Sequence, residues 1–215
     1  MMKGVIFDFN GTLFLDHDKH VLAWNQISMK LRGRPITQEE LLDHFNGVPN
    51  EVIIDYLCEG QASKKQKEAL SALKEQYYRS YCLEDAKSFH LIKGAEAYFR
   101  SLRDQGIPFT IASASIKENI DFFARAFQLN RYFDISTIVY DDGSYKNKID
   151  MFKEASRRLA IPLRDCRIFE DSVSGIKSAY EAGCDDIVVV DTTAKGETYK
   201  SLPGVKRVIQ DLTEV

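Results

Sequence analysis

Long apolar runs are missing: no window approaches the ~18 uninterrupted apolar residues of a membrane span, so none is expected. Basic excess is missing too. Lys and Arg number 29 against 32 Asp and Glu, a net charge of −3, which lacks the electrostatic footprint of a nucleic-acid binder. Cysteine is sparse, at Cys58, Cys82, Cys166 and Cys184, with no CxxC pair. That spacing suits neither a zinc site nor a disulfide framework, so four reduced thiols in a cytoplasmic protein are expected. The opening MMKGVIFDFN places an acid at Asp8 where a signal peptide would run apolar, so no leader is expected. What is present is 44% hydrophobic and 28% charged residues over 215, a globular balance that excludes a largely disordered chain.

Four short apolar runs each end on a polar residue: Lys3–Phe7 before Asp8, Phe109–Ala112 before Ser113, Arg167–Phe169 before Glu170-Asp171, and Ile187–Val190 before Asp191. Such runs predict parallel strands buried on both faces. Helical patterns lie between them, at 95–105 before Gly106, 148–159 before Pro162, and 172–182 before Gly183. The alternation predicts an α/β fold with a Rossmann-like, doubly wound parallel sheet. Residues 16–87 break the alternation. They carry Val21, Trp24, Ile27 and Leu31 at helical spacing, capping boxes at Thr37–Glu40 and Ser63–Gln66, and no strand-like run. This predicts a helical cap over 16–87 inserted into a core of 1–15 and 88–215, with linkers near 14–16 and 84–92. The lysines of 64–74 are expected on a solvated face.

In open α/β sheets ligands bind at the carboxyl ends of the strands. Asp8, Glu170 and Asp171 are therefore expected to converge. An all-oxygen acidic cluster suits Mg²⁺. The alternative reading is that each acid merely caps the helix that follows it, as Asp171 would ahead of 172–182. Asn10-Gly11-Thr12 is a tight turn with a hydroxyl, and Ser113-Ala114-Ser115 offers hydroxyls and N–H groups for a phosphate.

Asp8-Phe9-Asn10-Gly11-Thr12-Leu13 resembles the D-x-D-G-T-L signature of the haloacid dehalogenase-like superfamily. Ser113 after an apolar strand resembles its second motif, 146–152 resembles K-P-x-P-D-x-F without its prolines, and 170–176 resembles E-D-S-x-x-G-I. The insert resembles the cap of the beta-phosphoglucomutase-like subgroup, with His20 and Trp24 as its H-x-x-x-W and Gly47-Val48 as its G-V. The resemblance implies that Asp8 is a nucleophile accepting a phosphoryl group. It implies Mg²⁺ on Asp8, the Asn10 carbonyl and Asp171, with Glu170 in or near the shell. Ser113, the Ala114 N–H and Lys146 would hold phosphoryl oxygens. His20, Trp24, Gly47 and Val48 would face Asp8 from the cap.

Two departures matter. Asn10 stands where the family carries a second aspartate as general acid/base, a role typically worth about 10²–10⁴-fold. Acyl and aryl phosphates, which need less protonation of the leaving group, remain open to such a site. Asn10 fits an enzyme with an easy leaving group or another proton donor, a retired catalyst that binds phosphorylated ligands, or a substitution made to trap a complex. Asn50 stands where the mutases place a basic residue, and Asn46 precedes Gly47, so a second phosphate would lack its anchor. Retention of Glu170 and Asp171 argues against the metal-free dehalogenase branch. The resulting expectation is a monomeric Mg²⁺-dependent hydrolase of a small phosphorylated metabolite. The alternatives are a sugar-phosphate mutase and a catalytically silent phospho-ligand-binding protein.

Overall fold

A computed structural model describes residues 2–45, 47–193 and 196–215. Asn46 thus lies outside the described residues. β1 (Gly4–Phe7) is buried along its whole length. The insert follows: α1 (His17–Arg32), a helical turn at Gln38–Glu40 running into a π-helical turn at Leu41–Phe45, α2 (Asn50–Leu57) and α3 (Lys64–Glu84). The chain then alternates α4 (Ala95–Asp104), β2 (Phe109–Ile116), α5 (Lys117–Ala126), β3 (Val139–Asp141), α6 (Lys148–Leu159), β4 (Cys166–Glu170), α7 (Val173–Ala182), β5 (Ile187–Val190), α8 (Gly196–Lys200) and β6 (Val205–Ile209). None of the described helices is long and apolar enough to cross a membrane.

Among the described residues the strands form one sheet in the order β3-β2-β1-β4-β5-β6. Every pairing is parallel, with Val5 opposite Phe109 on one side of β1 and Phe7 opposite Phe169 on the other. A parallel sheet has both faces covered, which is why its strands read as unbroken apolar runs. Ile6, Ala112, Val139, Ile168, Val189, Phe152 and Ile176 form the core of one face. Elsewhere around β1 the core is aromatic: Phe7 stacks on Phe169 at 4.8 Å between centroids and meets Phe99 edge-on at 5.4 Å. The chain lays β2 and β3 outward on one side of β1, then crosses to lay β4, β5 and β6 on the other. The switch point therefore falls between β1 and β4, at the carboxyl ends that carry Asp8 and Glu170.

The molecule divides into two compact units: residues up to Leu15 with His90–Val215, and Asp16–Phe89. In the second, Trp24, Ile27, Phe45, Ile53, Ile54 and Leu57 pack together. Both capping boxes form, at Thr37/Glu40 and Ser63/Gln66. Glu40 anchors the first turn: it takes the Thr37 N–H at 2.8 Å, Arg32 at 2.7 Å, Arg34 at 2.8 Å and the Tyr56 hydroxyl at 2.8 Å. The lysine-rich stretch corrects one expectation. Lys64 and Lys65 are exposed, but Lys74 is buried. Its ammonium lies 5.4 Å from the Trp24 ring centre and pairs with Glu75 at 2.9 Å. Helical spacing turns that end of α3 inward.

Candidate active site

Asp8 is the first residue past β1. Its N–H donates to the Phe169 carbonyl at 2.9 Å, which ties it to the end of β4. Glu170 ends β4 and is fully buried. Its Oε2 accepts the Asp171 N–H at 2.9 Å, the Ser172 N–H at 3.0 Å and the Ser172 hydroxyl at 3.0 Å. Ser172 in turn caps α7 by accepting the Gly175 N–H at 3.0 Å. The helix start thus fixes a buried carboxylate. A Cβ at Gly175 would run into Glu170, and a Cβ at Gly11 into Asp171. Gly11 also has φ +80°, where a side chain is strained. Both glycines are required by the proximity of the acids.

Carboxylate oxygens of Asp8, Glu170 and Asp171 lie within 4.8 Å of one another. The Thr12 hydroxyl sits between two of them, 3.2 Å from Asp171 Oδ1 and 3.4 Å from Asp8 Oδ2. Burial and the charges of Glu170 and Asp8 push the Asp171 carboxyl up to about 8. Burial also raises Asp8, to about 6, against the opposing pull of Lys148. With all three carboxylates ionised against one ammonium the cluster would be about two positive charges short of balance, which is why burial holds two of them protonated. Hard oxygen donors with that deficit fit Mg²⁺. The sign for stability follows. Folding holds these two carboxyls protonated where the unfolded chain has already ionised, so the folded state binds more protons between about pH 4 and 8. Stability present below pH 4 is therefore lost as the pH rises to 8. Metal-free protein should show a melting temperature that falls across this window, and added Mg²⁺ should raise it most at pH 8. Calorimetry with and without chelator measures both.

The lysine of the site is not the one expected. Lys146 is exposed, in a turn built by Asp141 accepting the Gly143 N–H and Asp142 accepting the Ser144 N–H, each at 2.9 Å. Lys148, the first residue of α6, reaches Asp8 Oδ1 at 2.7 Å and also pairs with Glu170 Oε1. Burial alone would lower its pKa, but the carboxylates of Asp8 and Glu170 outweigh it and hold the ammonium above its ordinary range. Asn147 caps α6 by accepting the Asp150 N–H at 3.2 Å, which turns the next side chain back toward the strand ends. A cap residue directly before an apolar helical pattern was the available signal.

Ser113 is buried near the end of β2, which extends through Ile116. Its hydroxyl donates to Asn10 Oδ1 at 3.3 Å and accepts the Ser115 N–H at 3.1 Å. Ala114 is exposed beside it. Asp8, Asn10, Ser113, Glu170 and Asp171 thus come together in the first unit, with Thr12 and Lys148 added.

The cap residues are engaged inside their own unit. Trp24 is 4% exposed and meets Phe45 edge-on at 5.8 Å, within the apolar core of the second unit. His20 stacks on Tyr78 at 4.1 Å, with Nδ1 2.7 Å from Lys74 Nζ and Nε2 3.3 Å from Asp16. Asn50 donates to Ser71 at 3.0 Å and to Glu75 at 2.8 Å. Gly47 turns the chain at φ +70°, and Val48 packs on the cap core.

The family model of the haloacid dehalogenase-like hydrolases matches residues 5–189. A crystal structure of a family IA, variant 3 hydrolase from Entamoeba histolytica is 30% identical, with a TM-score of 0.93, over 100% of this chain and 95% of its own. The phosphorylated carbohydrates phosphatase of Thermotoga maritima is 26% identical over 86% of this chain and 84% of its own. Fructose-1-phosphate phosphatase YqaB of Escherichia coli is 23% identical over 86% and 95%. Motif residues gathered at the switch point, a family match across most of the chain and a superimposable fold agree: the chain belongs to the haloacid dehalogenase-like hydrolase family.

Proposed function

We propose that the protein is a Mg²⁺-dependent hydrolase of small phosphomonoesters that works through a phosphorylated Asp8. The observation that carries this reading is the buried Asp8 carboxylate held between Lys148, Thr12 and two further acids at the switch point of the sheet. The Asp8 oxygen attacks phosphorus while the bond to the leaving oxygen breaks. Water then displaces the carboxylate, so one hard displacement becomes two easier ones. A carboxylate approaching a phosphate dianion meets like charge. Lys148 offsets it from one side, and Ser113 and the Ala114 N–H offer donors to the phosphoryl oxygens. Asp8, the Asn10 carbonyl and Asp171, with Glu170 beside them, would hold Mg²⁺, which would add positive charge at the phosphoryl oxygens. Thr12 holds Asp8 and Asp171 in register.

The relatives named for fructose 1-phosphate and for phosphorylated carbohydrates make sugar phosphates the first esters to assay. A panel of sugar, aryl and acyl phosphates, run with Mg²⁺ and with chelator, tests the reading. Phosphate release that needs both Mg²⁺ and Asp8 is expected. Binding of phosphorylated ligands without release from any of them would favour a silent binding protein.

A further inference from the structure

We propose that Lys19 is a positioning residue: its ion pair with Asp85 braces together the two chain crossings between the units, so that bending is confined to Leu15 on one crossing and His90-Leu91 on the other. The chain leaves the first unit at Leu15-Asp16 and returns to it at Phe89-His90. The effect on turnover argued below rests on the hydrolase reading. The brace itself does not.

Each crossing is tied to the helix that belongs to the other. Asp16 is the N-cap residue of α1, yet its side chain does not cap that helix. Its carboxylate accepts the Tyr78 hydroxyl of α3 instead, with His20 Nε2 3.3 Å away. Asp85 follows α3, and its carboxylate takes the ammonium of Lys19 on α1 at 2.6 Å. The Ser88 hydroxyl donates to the same Asp85 oxygen at 2.7 Å. The Ser88 and Phe89 N–H groups donate to the Asp85 carbonyl at 3.1 and 3.0 Å. The order that Lys19 imposes at Asp85 thus runs on to the last residue of the second unit.

The first-unit ends of the crossings are pinned as well. The Ile92 N–H donates to the Leu13 carbonyl at 2.8 Å, which joins the two crossings directly, and the Leu212 N–H donates to the Lys93 carbonyl at 3.0 Å. A Cβ at Gly94 would run into the backbone of Leu212 and Thr213, so the chain there lies against the C-terminal turn. Phe14 is fully buried, and its N–H donates to the Phe9 carbonyl at 3.0 Å. Between the pinned residues lie Leu15 on one crossing and His90-Leu91 on the other.

Stability alone does not account for Lys19. It is 2% exposed, and a buried ion pair is often no more stabilising than an apolar side chain of similar length. What the ammonium adds is a defined geometry. It sits between Asp18 at 2.5 Å and Asp85 at 2.6 Å, where an apolar chain would accept many arrangements. Asp18 lies on α1 itself, so Asp85 carries the tie to the returning crossing. The groups assigned to phosphoryl transfer all belong to the first unit. Loosening the brace therefore leaves the chemical step alone. On the implied role of the insert as a cap, it weakens the hold on esters larger than the phosphoryl group.

The test measures hydrogen–deuterium exchange by mass spectrometry on the parent chain, Lys19→Met, Asp85→Asn and the double variant. Steady-state rates with Mg²⁺ are taken beside it on acetyl phosphate and fructose 1-phosphate. Peptides covering 85–92 should exchange about two- to five-fold faster in both single variants, the range set by losing one ion pair. Peptides of β1 and β4 should keep the parent's protection. The double variant should add little to either single change, because both cut the same tie. KM for fructose 1-phosphate should rise about three- to ten-fold with kcat held within about two-fold, the pattern of lost binding, while acetyl phosphate is turned over as by the parent. Asp85→Asn alters a partly exposed residue and decides the matter should Lys19→Met not fold. Unchanged exchange over 85–92, or protection lost evenly across both units, overturns the brace. Faster exchange with KM unchanged overturns the positioning role. If no ester is turned over, the hydrolase reading falls with the kinetic effect, and the exchange pattern alone decides the brace.

Discussion

Asp8→Ala is expected to lower phosphate release by at least about 10⁴-fold, because the attacking oxygen itself is removed. The fold should survive. Asp8 sits in a cluster with more carboxylates than cations, and Lys148 keeps Glu170 as its partner. Removing one of three crowded acids relieves the like-charge repulsion that helps push Asp171 up to about 8. The metal-free melting temperature should therefore hold or rise while activity disappears. Steady-state rates beside a melting curve separate loss of chemistry from loss of structure. A variant that melts cooperatively yet keeps a substantial part of the parent's rate would remove Asp8 from the chemistry.

Lys148→Met is expected to cost about 10²–10³-fold, the range seen when one preorganised charge at a reacting centre is removed. Lys146→Met should leave the rate unchanged. The contrast follows from placement. Lys148 bridges two buried acids, whereas Lys146 is exposed in the preceding turn. Met keeps much of the aliphatic stem and mainly removes the ammonium, which lies 5.7 Å from the Phe152 ring centre. Rates measured at saturating Mg²⁺ keep metal affinity from masking the effect. A damaging Lys146→Met beside a neutral Lys148→Met would place the phosphate-binding charge on Lys146 instead.

The two lysines also show what the sequence could and could not reveal. Strands β1 and β5 were legible because burial on both faces of a parallel sheet leaves continuous apolar runs, and the acids that follow the strand ends were legible with them. Helix α6 was legible from its periodicity, with the structure starting it at Lys148 as expected. Choosing between Lys146 and Lys148 needed the length of the turn after β3, a strand of three residues whose pattern carries little signal. The edge strand β6 was missed because its burial is patchy, with Lys206 and Arg207 exposed. Trp24 was ambiguous for a different reason. Helical spacing places it on a face, but only the packing of Phe45 and Ile53 beside it identifies that face as the cap's own core.

Phosphoryl transfer to Asp8 leaves a covalent adduct that can be trapped. The parent chain is mixed with acetyl phosphate and Mg²⁺, quenched in acid, and digested for mass spectrometry. A peptide heavier by one HPO₃ unit is expected, with fragmentation placing the group on Asp8 and no label in Asp8→Ala. An unlabelled chain that nonetheless releases phosphate, or a label on any other residue, would contradict it.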